Sequence, residues 1–262
     1  MEKALFQEER LRLMADYIRT NGRADVGELS ERFDVSKVTV RRDIDILVER
    51  GLAAKAHGGV LSLENKLSYE TPFSAKVAVN SEAKRRIAAR AAEFVRDNDI
   101  ILLDAGTTCC ELARRLAEEP RRNLTIVTHD VMIAYEVARA GFAELIVAGG
   151  TLERGVFTLT GSGTAGFYRR LHVNRAFIGC DAIDAEFGVS NRLSGEADIK
   201  RAMADCADES YLLFDGSKFD RKAFSLVFSP EELHGIAAAV TDCEDARCRE
   251  LFERVSAGYI IC

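Results

Sequence analysis

Two changes of pattern along these 262 residues predict an α/β chain in two parts. Up to residue 61 apolar side chains recur at helical spacing and close on a Gly-Gly hairpin signal. From residue 75 onward, short apolar runs alternate with helical segments, the pattern of buried, mostly parallel strands joined by helices. Between them, residues 62–74 (SLENKLSYETPFS) hold one of only three prolines and keep no period, so they read as a linker.

In the first part a helix is expected from about Gln7 to Thr20, with Leu11, Met14, Ala15 and Ile18 as its buried stripe and Asn21-Gly22 as its stop. Asp25 opens a short second helix carrying Val26, Leu29 and Phe33, and Asp34-Val35 makes a tight connection. Ser36 caps the third helix, where Val40, Ile44, Leu47 and Val48 face inward while Lys37, Thr39, Arg41 and Arg42 project elsewhere. Gly51 ends it, Leu52–Lys55 is extended, and Gly58-Gly59 supplies positive-φ positions for a hairpin tip.

Three helices and a hairpin make a winged helix-turn-helix over residues 1–61. Its candidate DNA contacts are Ser36, Lys37, Thr39, Arg41 and Arg42 on the third helix and Lys55 and His57 in the wing. Asp43 reads as an internal partner for an arginine, not a base reader.

The net charge of −6 does not oppose this reading, because the acidity lies elsewhere. Residues 1–61 hold 11 basic and 11 acidic side chains, against 25 and 31 in the remainder. A neutral head with its cations gathered at one helix and a wing suits site-specific binding to double-stranded operator DNA through few phosphate contacts. The symmetric half-sites used by helix-turn-helix proteins call for a homodimer or homotetramer.

No apolar run approaches the ~20 residues of a membrane helix, and the charged N-terminus lacks a signal-peptide core, so no membrane and a cytoplasmic location are expected. The seven cysteines form no C-x-x-C pair, which fits reduced thiols and predicts neither a metal site nor a cofactor.

In the second part a helix from Ser81 to Arg96 precedes strands at Ile100–Leu103, Leu124–Val127, Leu145–Val147, Ala176–Ile178, Tyr211–Phe214, Ile236–Val240 and Tyr259–Ile261. Helices are expected at Cys109–Ala117, Val131–Arg139, Gly163–Leu171 and Glu196–Cys206. Ligands of open α/β sheets bind outside the carboxyl ends of the strands, and here those ends are polar.

They carry Asp104-Ala105-Gly106-Thr107-Thr108, Thr128-His129-Asp130, Gly149-Gly150, Gly179-Cys180-Asp181 and Asp215-Gly216-Ser217-Lys218. Gly106 with Thr107 and Thr108 at a helix start offers backbone N–H groups and hydroxyls to a phosphate. Lys218 adds a cation, while Asp104, Asp181 and Asp215 can accept hydrogen bonds from sugar hydroxyls.

The head resembles the DeoR family of bacterial transcription repressors through Ser36, Thr39, Val40, Arg41, Arg42, Asp43, Leu47, Gly51 and His57-Gly58-Gly59, with Lys55 where the family commonly has arginine. The resemblance continues through Lys84, Asp104–Thr108, Gly149-Gly150, Gly179, Asp181, Glu196, Lys200 and Asp215 with Ser217-Lys218-Phe219. It implies an effector domain similar in fold to ribose-5-phosphate isomerase that binds a phosphorylated sugar or polyol, and a carbohydrate-operon repressor released by it.

The implied effector site includes Asp104, Gly106, Thr107, Thr108, His129, Asp130, Gly149, Gly150, Asp181, Glu196, Asp215 and Lys218. His129-Asp130 stands where many relatives have Asn after the second strand. A phosphosugar isomerase fused to a DNA-binding head is the alternative, but residues 187–195 (FGVSNRLSG) lack the lysine that precedes the isomerases' glutamate, so no catalytic residue is assigned. Cys109-Cys110 at a helix start raises a redox switch through a lowered thiol pKa, against inert buried cysteine.

Overall fold

The computed structural model describes residues 7–21, 23–50, 52–56, 58–62, 73–153 and 155–262. They form two compact units that divide between Val79 and Asn80. His57 and most of the expected linker lie outside the described residues.

The first unit runs α1 (Gln7–Asn21), β1 (Arg23–Asp25), α2 (Val26–Arg32), α3 (Lys37–Glu49), β2 (Ala53–Ala56), β3 (Gly59–Ser62) and α4 (Phe73–Ala78). Leu11, Met14 and Ile18 pack with Leu29, Val40, Ile44 and Leu47 in one core, while Ala15 is only half-buried. Asp25 and Glu28 form a reciprocal capping box that starts α2. Asp34, at φ 48°, turns the chain toward α3, whose first turn Ser36 caps.

The strand β1 goes unread in the sequence because three residues carry no period. It pairs with β3, giving the order β1-β3-β2. Among the described residues of the hairpin tip, only Gly58 is left-handed, at φ 80°. Gly59 is required for a different reason: a Cβ there would overlap the Ala24 carbonyl across the β1–β3 pair.

The second unit runs α5 (Ser81–Ala92), β4 (Ile100–Leu103), α6 (Thr107–Glu118), β5 (Thr125–Thr128), α7 (Val131–Ala140), β6 (Glu144–Val147), β7 (Thr151–Leu152) and β8 (Leu159–Thr160). It continues with α8 (Ser162–Tyr168), β9 (Val173–Gly179), β10 (Ala182–Asp184), β11 (Gly188–Asn191), α9 (Ser194–Asp205), β12 (Ala207–Phe214) and β13 (Ser225–Phe228), and ends with β14 (Ala238–Thr241), α10 (Ala246–Glu253) and β15 (Gly258–Ile261). Seven strands form one sheet in the order β15-β14-β12-β9-β4-β5-β6, every neighbouring pair parallel.

Chain order reverses between β4 and β9. The connections leave those strands toward opposite edges, which opens a crevice at their carboxyl ends. A three-stranded antiparallel sheet, β10-β11-β13, and the ribbon β7-β8 are additions the apolar runs do not predict, since each strand is only two to four residues long. Among the described residues no helix is long and apolar enough to cross a membrane.

Candidate functional site

On the head, the Ser36 hydroxyl accepts from the Thr39 N–H at 3.1 Å and lies 2.9 Å from the Thr39 hydroxyl. Both expected contacts therefore also build the start of α3. Lys37, Arg41 and Arg42 are exposed and make no ion pair among the described residues, so their charges face outward.

Asp43 is fully buried and accepts two hydrogen bonds from Arg10 of α1, at 2.7 and 3.2 Å, which ties the bracing helix to the reading helix. Lys55 of the wing pairs with Asp45 of α3 at 2.7 Å. A DNA contact by Lys55 thus means exchanging one anion for another.

In the second unit the residues after β4, β5, β9 and β12 converge as the order of the sheet requires. Asp104 follows β4 and spans the crevice, its Oδ2 accepting from the Gly179 N–H of β9 at 2.8 Å. Lys200 of α9 donates to the same oxygen and, at 3.2 Å, to the Gly179 carbonyl. Burial alone would lower the Lys200 pKa, but Asp104 and Glu196 outweigh it and hold the ammonium charged.

His129, after β5, is fully buried, with Nδ1 3.0 Å from the Tyr168 hydroxyl and Nε2 3.6 Å from Asp104 Oδ1. Burial drops its pKa to about 4, so the ring is neutral near pH 7.

Several expected ligands already have structural work. Asp130 caps α7 through the Met132 and Ile133 N–H groups at 2.7 and 3.0 Å, and its Oδ2 accepts from Gly106 N at 3.1 Å. Gly106 is therefore not an open donor to an anion. No side chain caps the rest of α6, which begins at buried Thr107 and half-buried Thr108. Burial pushes the Asp130 carboxyl up to about 6 against the pull of those three N–H bonds.

Asp181 is not an open acceptor: it takes the Arg192 N–H at 3.0 Å and lies 3.3 Å from the Arg192 guanidinium. The Glu196 carboxylate accepts from Asn191. Asp215 Oδ1 accepts from Asn80 at 2.8 Å and from the Ser217 N–H and hydroxyl. Burial raises the Asp215 pKa, but Lys218, these hydrogen bonds and Lys84 together bring it below the ordinary value.

Lys84, on α5, is buried although a helix lysine is by default a surface residue. Gly149 accepts the Thr164 hydroxyl at 2.7 Å, and a Cβ on Gly150 would overlap Thr164 and the Thr160 backbone, so this pair is a packing turn. Cys109 and Cys110 are buried. Burial raises the Cys109 pKa well above the ordinary thiol range and the Cys110 pKa to about 12, opposite to the redox alternative. Among the described residues no cluster of metal-ligating side chains occurs.

Charged side chains converging at the strand ends within the second unit and outward cations on a helix-turn-helix suit a DNA reader coupled to a small-molecule sensor. Comparison with known proteins decides it. Residues 79–242 match the DeoR C terminal sensor domain and residues 10–66 the DeoR-like helix-turn-helix domain.

The chain belongs to the DeoR family of transcriptional regulators.

This DeoR-family chain is 32% identical to the HTH-type transcriptional regulator IolR of Bacillus subtilis, over 88% of its own length and 90% of that protein. It is 31% identical to the transcriptional repressor AccR of Agrobacterium fabrum, over 83% of its own length and 82% of that protein. Among solved structures, ribose 5-phosphate isomerase A of Methanocaldococcus jannaschii aligns at a TM-score of 0.39 with 18% identity, over 53% of this chain and 55% of that one. A likeness at that level carries no argument about activity.

Within this DeoR-family site the sequence reading missed Tyr168, Asn191, Arg192 and Asn80, each of which bonds an expected ligand. None has a local signal, because each meets its partner through the fold and lies away from any strand end on the parallel sheet.

Proposed function

We propose that this regulator represses a carbohydrate-utilisation operon and releases its operator when a phosphorylated sugar or polyol occupies the crevice at the carboxyl ends of β4 and β9. The observation that carries the reading is the start of α6 at the end of β4, where, beyond the Gly106 N–H held by Asp130, no side chain caps the helix. Its first N–H groups and the helix dipole suit a phosphate, with Thr107 and Thr108 as hydroxyl donors. Lys218 and Lys84, whose charges bear on Asp215, supply cations.

Ser36, Lys37, Thr39, Arg41, Arg42, Lys55 and His57 hold the operator, and a homodimer or homotetramer presents two heads to its half-sites. Effector binding releases DNA by its differential affinity for two arrangements of the heads. A tenfold release needs about 1.4 kcal/mol of it. The chain acts in the cytoplasm and leaves the effector chemically unchanged.

The test is a thermal-shift screen against sugar phosphates and their unphosphorylated parents, followed by operator release with the compound that shifts. Stabilisation by a phosphorylated compound alone, weaker operator binding in its presence, its recovery unaltered and loss of the shift in Thr107→Val are expected. Tighter operator binding would make the protein an activator, and conversion of the compound would make it an enzyme.

A further inference from the structure

Val38 is 73% exposed, more than any other large apolar side chain among the described residues, and it stands on the helix that carries the outward cations. A single exposed valine is ordinary on a protein surface. What sets Val38 apart is its position. Ser36 caps α3, so Val38 is the second helical residue, in the N-terminal turn that a recognition helix presents to base edges. Arg41 and Arg42, three and four residues on, are exposed on the same side, and Asp45, seven residues on, is held by Lys55 of the wing.

The core of the head makes no use of Val38. Val40, Ile44 and Leu47 fill the inward side of α3, and Asp43 there holds Arg10. A β-branched side chain in solvent also does nothing for helix propensity. The other outward groups in the first two turns are polar: Lys37, Arg41 and Arg42 are cations, and the Ser36 and Thr39 hydroxyls lie 2.9 Å apart, engaged with each other. Among the exposed residues of those turns, Val38 alone offers nothing but apolar atoms.

The major groove displays one apolar group at a base edge, the C5 methyl of thymine. Every other edge presents donors and acceptors, which a valine would strip of water without replacing it. We propose that Val38 reads a thymine in each operator half-site through that methyl, with Arg41 and Arg42 as its polar neighbours. The inference rests on α3 as the operator-reading helix and adds the base that one of its residues selects. A 5-methylcytosine carries the same group, so both bases enter the test.

The full chain is first used to select binding sites from a random-sequence DNA duplex library. In the selected duplex each thymine is then replaced by uracil, in both half-sites together, which keeps the pairing and removes only the methyl. One such position is expected to weaken binding about fifteenfold in a mobility-shift titration, from about fourfold in each half-site. In Val38→Ser the thymine and uracil duplexes should bind within about twofold of each other. Val38→Thr, which keeps one γ-methyl, should retain most of the difference. At the same position 5-methylcytosine should bind better than cytosine in the natural protein, and equally in Val38→Ser. Both variants should melt as the natural protein does, since Val38 lies outside the core of the head.

The proposal is overturned if no uracil replacement matters, if Val38→Ser keeps the full thymine preference, or if 5-methylcytosine binds no better than cytosine. Any of these, with Arg42→Ala still weakening binding, leaves α3 as the reading helix. If the library yields no enriched sequence, or Arg42→Ala binds as the natural protein does, the reading helix and this base contact fall together.

Discussion

In the reading head, Lys37, Arg41 and Arg42 stand in solvent with no ion pair among the described residues, whereas in the sensor Asp104, His129, Asp130 and Lys200 are all withdrawn from water. The difference follows from where each partner comes from. A phosphate backbone arrives from outside, and exposed cations meet it at little cost in folding while releasing its counterions. A small effector has to be enclosed, so its ligands are fixed in advance by burial and by each other, and each charge left unmatched would be costly. The head is thus tolerant at its exposed cations, and the sensor is fragile at its buried charges.

Breaking the Lys200–Asp104 pair should have the largest effect. Lys200→Met leaves a carboxylate buried without its counter-charge and is expected to destabilise the sensor by about 3–5 kcal/mol, read from urea denaturation. A loss below about 1 kcal/mol would mean that the sensor's charges are as dispensable to folding as those of the head.

The pH dependence of the same denaturation sharpens the contrast. Asp130, at about 6 in the folded protein against about 3.9 unfolded, holds its proton longer when folded, so its contribution to stability falls as pH rises through about 4 to 6. His129, at about 4 folded against about 6.5 unfolded, gives the opposite sign: the unfolded chain takes the proton first, and stability rises over about pH 4 to 6.5. The two nearly cancel between pH 4 and 6. In Asp130→Asn stability should climb over that window by on the order of 2 kcal/mol more than in the natural protein. An offset that is the same at every pH would exclude this assignment.

On the head, Arg42→Ala should weaken operator binding by about 1–3 kcal/mol in a mobility-shift titration while altering the melting free energy by less than about 0.5 kcal/mol. Unchanged affinity would remove Arg42 from the interface. The smallest effect is expected at the wing, where Asp45→Ala frees Lys55 and removes an anion near the DNA. Affinity should rise about twofold to threefold at low salt, and the gain should fade as salt is added.

The legibility of the chain follows the same division. The strand at Ile100–Leu103 is read to the residue because all four positions are apolar. The strand β9 begins three residues before the expected Ala176 because Asn174 and Arg175 break the apolar run, although Arg175 is buried and bonded to Asp99. On α3 the division into inward and outward residues is legible from spacing alone. In the sensor the strand-end residues are legible as a set, but their partners are not, since Gly106 to Asp130 and His129 to Tyr168 are contacts between separate elements.

By itself the sequence determined a winged reading head followed by a parallel α/β domain, and the polar residues at its strand ends. Periodicity, caps and breakers act over a few residues and are written locally. Tertiary structure alone decided that Gly106, Asp130, Asp181 and Asp215 are occupied by the chain itself, and that Asp104 and His129 turn unpaired atoms toward each other. A hydrogen bond depends on angstrom-scale distances between elements remote in sequence, and those distances exist only once the sheet has set which strand lies beside which.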